Sequence, residues 1–368
     1  MAIYYIALIY ILIAGLFFCH VLKTEGKKAF LWTSFSFLFV LMAIRAETVG
    51  RDIYIYRAKF RIIAAADTWQ TITEAVDNAP VYCLLNKIVS YIGDYRLMLI
   101  VTAFIILSSV AIYIYHFSDN VVISTYCFVA LFFYLHAFNI SRQFLAIALF
   151  LLSLCFRKEK RYVICAVFFF LAVGVHSLTV IALPLLIIDR EHITTKKFVA
   201  YMAVTCVVVL VFGVGFSQVI SPFSMVFPRY QIYLQSGKTS VYNQSSGAIV
   251  FLALFYFLVA VLAAVIQSNL LSRNHLEDDA RSHLRYLIIA VTAGALMGLL
   301  NGNFEAMTRA LYFYQIHTIC LIPNAFGKLR QYRFYYPLYY GLLLILLVPF
   351  TICLLRNHSG VVPYTSMW

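Results

Sequence analysis

The sequence predicts an all-α, polytopic integral membrane protein. The first observation behind this is compositional: 63% of the residues are hydrophobic and 12% are charged, where soluble globular chains carry roughly 25% charged residues. The second is the recurrence, from end to end, of apolar runs approaching twenty residues. Each is long enough to cross the ~30 Å hydrocarbon layer as a helix. The third is that no run alternates as barrel strands do, which leaves helices as the spanning element.

Taken in order, the predicted spans are 3–22, 29–44, 97–115, 121–137, 140–156, 162–175, 177–188, 198–216, 247–267, 286–302, 310–326 and 335–355. They amount to about 12 transmembrane helices, within a range of about 10 to 14. Met1 to Leu22 has no basic segment at its start and no small-residue cleavage pattern before Lys23. It reads as a retained first helix rather than a removed leader. Residues 1–368 form a single transmembrane domain in this reading, with a long external loop at 45–96 and a second at 217–246. Within the first loop, 81–93 (VYCLLNKIVSYIG) is too short and too polar for a crossing and reads as an interfacial or re-entrant helix.

The net charge of +13 is spread between spans rather than gathered into one stripe. That pattern excludes nucleic acid as the expected partner and suits membrane lipid and topology. Clusters at Lys23/Lys27/Lys28, Arg157/Lys158/Lys160/Arg161, Arg190/Lys196/Lys197, Arg273/Arg281/Arg285 and Lys328/Arg330/Arg333 hold more than half of the 28 lysines and arginines. The positive-inside rule places all five in the cytoplasm. Segments 45–96, 136–142, 217–246 and 303–309, and both ends of the chain, then fall outside. Residues 162–188 are short for two crossings, which would take roughly 40 residues. Basic clusters on both flanks, with Gly174 and Pro184 between, favour a short hairpin tipped by His176. A single span there would invert everything that follows.

The eight cysteines form no C-x-x-C pair and no Cys/His cluster. They read as packing residues. No D-x-D or other hard-metal pattern is evident, and no cofactor or metal is expected.

Under this topology the unusual polar residues collect on one membrane face: Arg45, Glu47, Arg51 and Asp52; Asn139, Arg142 and Gln143; His176; Arg229 and Tyr230; Asn303, Glu305 and Arg309. An arginine-lined outer cavity suits a phosphate or diphosphate, because guanidinium is permanently charged and binds phosphate oxygens in pairs. Each residue has a plainer role beside that one. Arg45 can snorkel at the interface. Arg51 and Asp52 can be a solvated pair of little energetic weight. Arg142 and Gln143 open a helix that Asn139 or Ser141 can cap, and a helix N-terminus with an arginine makes an anion site. A lone His176 can be structural, or a proton carrier. Glu305 and Arg309 stand one turn apart and can pair with each other, although ionisable groups within membranes are usually functional. Most of the 27 tyrosines and 32 phenylalanines belong to interfacial belts and lipid-facing packing.

These pieces, in this order, resemble the EpsG-like, Wzy-type polymerases of bacterial exopolysaccharide and O-antigen. The resemblance runs through RAETVGRDIYIY from Arg45 to Tyr56, an Arg-x-x-x-x-Gly-x-Asp-x-x-x-Tyr pattern, then YCLLN from Tyr82 to Asn86 and NISRQFLAIA from Asn139 to Ala148. GVHS from Gly174 to Ser177, Arg229 to Tyr233, and NFEAMTRALYFY from Asn303 to Tyr314 complete it. One place departs: four residues after Arg309 stands Phe313, with Tyr312 and Tyr314 on either side.

The resemblance implies a C-type membrane glycosyltransferase in the bacterial cytoplasmic membrane, with its active site facing the exterior. It would join undecaprenyl-diphosphate-linked repeat units, with a chain-length regulator protein among its partners. It also implies roles. Arg45, Arg51, Arg142, Gln143, Arg229 and Arg309, with Tyr56, Asn139, Tyr230 and Asn303, would bind the substrate and its diphosphate; Asp52, His176 or Glu305 would deprotonate the acceptor hydroxyl. An O-antigen ligase using the same donor shares these features. A non-enzymatic flippase predicts polar groups on both faces and inverted repeats, neither of which is seen. A polytopic O-acyltransferase is disfavoured, for want of a paired His-and-acid motif.

Overall fold

The structure is a computed structural model that describes residues 1–21, 26–76, 79–226, 246–271, 278–299 and 305–367. Among the described residues it is all-helical, 82% helix with no strands, so helices are the only elements available to span. Five are long and apolar enough to do so: Ala2–Cys19, Tyr95–Phe117, Val250–Asn269, Asp278–Leu299 and Tyr335–Leu355. A sixth arises if Val121–Ala130 and Phe133–Asn139, bent by 48°, count as one broken span. The chain is a multi-pass membrane protein with several apolar helices.

Among the described residues, helical structure stands within each of the twelve segments predicted from sequence, and five helices, or six with the bent pair, meet the length and hydropathy of a crossing. Where a helix falls short, the reasons are local. The helix over 140–156 carries Arg142, Arg157 and Lys158. The one over 162–175 has 14 residues, about 21 Å at 1.5 Å per residue. The run 310–326 breaks into Glu305–Gln315 and Thr318–Gly327 around a buried His317.

The chain divides into two compact units, Met1–Val180 with Arg333–Trp368, and Ile181–Tyr332. The first unit holds α1 (Ala2–Gly15, continued by a π-helical turn to Val21), α2 (Gly26–Ala43), α3 (Ile53–Ala65), α4 (Trp69–Ala75), α5 (Pro80–Ile92), α6 (Tyr95–Phe117), α7 (Val121–Ala130), α8 (Phe133–Asn139), α9 (Ser141–Lys158) and α10 (Tyr162–Val175). The second holds α11 (Leu183–Ile187), α12 (Thr195–Val226), α13 (Ser246–Leu271), α14 (Asp278–Leu299), α15 (Glu305–Gln315) and α16 (Thr318–Gly327). The last helix, α17 (Tyr335–Leu355), returns to the first unit.

The helices divide by what covers their faces. In α1 one stripe is buried (Tyr4, Ala7, Leu8, Ile11, Ala14) while Ile6, Ile9 and Ile13 are exposed. An apolar stripe left bare at helical spacing is what a lipid-facing surface requires. By contrast, α8 is buried at every position, and so is α14 from Leu284 to Ala295. These two are the core of their respective units. The segment 45–96 is three short helices, of which α5 buries Tyr82, Cys83, Asn86 and Val89 and exposes Leu84, Ile88, Tyr91 and Ile92. That two-sided helix is the shape expected of an interfacial element.

Candidate functional site

In the first unit, the polar residues singled out from sequence come together around the junction of α8 and α9. The loop between α2 and α3 lies against α8. Gly50 adopts φ +115, and a Cβ there would lie 2.6 Å from the Phe138 carbonyl oxygen. Glycine is needed on both counts. This approach lets the Asp52 backbone N–H donate to Asn139 Oδ1 at 2.8 Å. Asn139 is therefore spent on the loop and does not cap α9, whose N-cap is Ile140 with no side-chain hydrogen bond; Ser141 is the first helical residue. Asp52 precedes α3 and is buried, also without a side-chain cap bond.

Arg45 does not snorkel. It is wholly buried, its guanidinium sits 4.8 Å over the Phe138 ring, and one Nη donates to the Met42 carbonyl at 2.5 Å. Its Nε and second Nη are buried with no acceptor among the described residues. Glu47, in the same loop, pairs with Arg57. Burial pushes the Arg45 guanidinium down to about 10, against a smaller opposing pull from the surrounding tyrosines Tyr95, Tyr134, Tyr4 and Tyr364. It is still cationic at neutral pH. A charge with two unspent donors in a dry site costs about 1–3 kcal/mol per unmade bond, so an anion there would be strongly held. Arg51 donates to the Asn357 carbonyl at 2.9 Å from an exposed position.

Arg142 is half-buried on the first turn of α9. Its Nε donates to the Val175 carbonyl at 3.2 Å, and its guanidinium lies 5.8 Å from the centre of the Tyr82 ring. Its other N–H groups make no hydrogen bond within the described residues. Val175 ends α10, and a terminal helix carbonyl is an unsatisfied acceptor that an arginine can take. The approach depends on Gly174, where a Cβ would come within 2.4 Å of Val81 on α5. Tyr82 packs edge-on to Tyr56 at 6.4 Å. Burial raises its hydroxyl to about 12 despite the nearby Arg142, so it stays protonated. Gln143 is buried beside Arg142.

His176 follows α10 directly and is buried. Its Nδ1 accepts the Leu178 N–H at 3.4 Å, which leaves the proton of the neutral ring on Nε2. Sequence reasoning did not single out Asn86. It is fully buried, with Nδ2 on the Tyr82 carbonyl at 2.7 Å and Oδ1 without a donor. An asparagine four residues after a tyrosine, closing the YCLLN segment, was the available signal.

The remaining candidates divide. Arg229, Tyr230 and Asn303 lie outside the described residues, as does the side chain of Glu305. Arg309 is half-buried on α15 in the second unit. Arg285, grouped by sequence with a basic cluster, is buried in the second unit. It donates to the Ile193 carbonyl at 2.5 Å and to Thr195 Oγ1 at 2.8 Å.

No curated protein and no solved structure matches the chain. The model of the EpsG family matches residues 28–366, nearly the whole length and every segment of the site just described. The chain belongs to the EpsG family, a family of Wzy-like polysaccharide polymerases.

Proposed function

We propose that the chain is a C-type membrane glycosyltransferase, with about 12 crossings, that joins undecaprenyl-diphosphate-linked oligosaccharide repeat units on the outer face of the bacterial cytoplasmic membrane. The observation that carries this reading is Arg45: a buried, permanently charged guanidinium whose Nε and one Nη meet no acceptor among the described residues. Such a group is matched by a polyanion and by little else. Arg142, held by Val175 and Tyr82 with N–H groups to spare, is the second clamp.

In the reaction, an acceptor hydroxyl of one lipid-linked repeat unit attacks the anomeric carbon of the growing glycan. The new C–O bond forms as the bond from that carbon to the diphosphate oxygen breaks. The electron pair leaves with undecaprenyl diphosphate, whose developing charge the arginines stabilise. The hydroxyl proton passes to a carboxylate, which we assign to Asp52, because His176 in its neutral form has Nδ1 engaged and Nε2 protonated. His176 then acts as a hydrogen-bond donor. Arg51, Gln143, Tyr56 and Asn139 shape the same site. Arg229, Tyr230, Asn303, Glu305 and Arg309 are proposed to add to the lipid-linked substrate's contacts, and a chain-length regulator protein to act as partner.

Incubating the purified protein with a lipid-linked repeat unit and resolving the products on a gel tests this reading. A ladder is expected from the wild type and none from Arg142→Ala. A wild-type reaction that attaches glycan only to a lipid A core would establish a ligase instead. Orientation is tested by cysteines at exposed positions: at 61 or 70 they should react with an impermeant thiol reagent from outside, and at 196 or 330 they should not.

A further inference from the structure

We propose that the segment after α17, residues 357–367, is a positioning strap for the site, with Asn357 as its pivot. The inference rests on the reading of the Arg45–Asp52 loop as part of the diphosphate site. That loop has little structure of its own: one internal backbone bond, Val49 N–H to the Ala46 carbonyl, closes it. The strap supplies the rest. At one end, Met367 N–H donates to Ile44 and Ala46 N–H donates to Thr365, both at 2.8 Å, bracketing Arg45. At the other end, Gly50 N–H donates to the Gly360 carbonyl at 2.8 Å.

Asn357 connects the strap to itself and to the loop. Its side chain takes both backbone groups of Val362, accepting from N–H at 2.9 Å and donating to the carbonyl at 2.6 Å. Its own carbonyl receives Arg51. Its φ of +46 is left-handed, a conformation asparagine tolerates better than most residues. The strap is in turn tied to the helical frame, since the Tyr4 hydroxyl on α1 donates to the Val361 carbonyl at 2.7 Å and Val361 is fully buried. A segment anchored to the frame and bonded to both ends of a loop holds that loop in one shape, and misplacement by about 1 Å can cost roughly 10² in rate.

The test uses full-length protein. Asn357→Ala is compared with Asn357→Gly, which keeps the left-handed backbone but lacks the side chain. Both should raise amide exchange at Ala46 and Gly50 at least tenfold and lower ladder formation about tenfold, with exchange in α6 unchanged. A disulfide between cysteines at 48 and 365, where the threonine hydroxyls stand 3.2 Å apart, should leave polymerisation intact. Reversible loss of activity on forming it would make the segment a moving lid and overturn the proposal. So would unchanged exchange in the Asn357 variants, or faster exchange with normal polymerisation. Arg142→Ala tests the diphosphate reading separately, because Arg142 makes no bond to the strap.

Discussion

Among the described residues each unit of the molecule buries one arginine, and the two are built differently. Arg285 in the second unit is completed by its surroundings: both Nη groups have acceptors on the 193–195 turn, and the guanidinium plane lies 5.7 Å from the centre of the Phe198 ring. It staples a loop to a core helix. Arg45 in the first unit has one carbonyl, an aromatic face and two buried N–H groups without acceptors. The difference teaches that burial alone does not separate a structural charge from a functional one. Unspent hydrogen-bonding capacity is what supports the proposed role of Arg45.

The sharpest way to break this comparison is to replace each arginine by methionine. Arg45→Met should reduce polymerisation by roughly 10²–10³ while thermal stability in detergent holds steady or rises, because a buried unpaired charge is removed. Arg285→Met should do the reverse, costing about 1–3 kcal/mol for the carbonyl it orphans, with rate per folded molecule preserved. Equal stability losses in both variants would show that Arg45 is a second staple.

A loss of about 10² is expected next at the base. Asp52→Asn should abolish the acid limb of the pH–rate profile, whereas His176→Gln should lower turnover and leave that limb in place. Disappearance of the limb in the His176 variant alone would transfer the base to the imidazole.

Arg142→Lys should cost about tenfold, because it keeps the charge but loses the planar contact with Tyr82 and the Nε bond to Val175. Its amount in the membrane should be normal. Wild-type rates in this variant would mean that only charge matters at α9.

The smallest effect concerns the strap. Burial, then Arg51 and Arg356, lower the His358 imidazole. It faces His136, whose Nδ1 lies 3.1 Å from Ser359 Oγ. A histidine depressed in the folded state contributes stability above its unfolded value near 6.5 and loses it as pH falls below that. Thermal stability should therefore drop as pH falls from about 6.5, and His358→Gln should flatten the decline. An unchanged slope in the variant would place the responsible group elsewhere.

Helix positions were legible because each rests on a local cause. Tyr335–Leu355 and Tyr162–Val175 were bounded as the structure has them, since these apolar runs are flanked by Arg333 and Arg356 and by Arg161 and His176. The candidate residues of the first unit were legible as a set, because arginines, a histidine and an asparagine in a chain this apolar call for a reason. Their individual roles were not. Asn139 was one of two candidate caps for α9 and instead holds Asp52. Arg45 was weighed as an interfacial side chain and lies in the core. Arg51 was weighed as a solvated partner of its neighbour and reaches a residue 306 positions away.

By itself, then, the sequence determined that the chain is helical, resides in a membrane and carries an arginine-rich polar set, because composition and period act within a few turns of backbone. Only the tertiary structure decided which N–H groups are spent and which remain, and that residues 357–367 return to hold the loop at 44–52. Those outcomes depend on bonds between segments some 300 residues apart in sequence. No local preference encodes such a pairing; it is set by which faces are buried together.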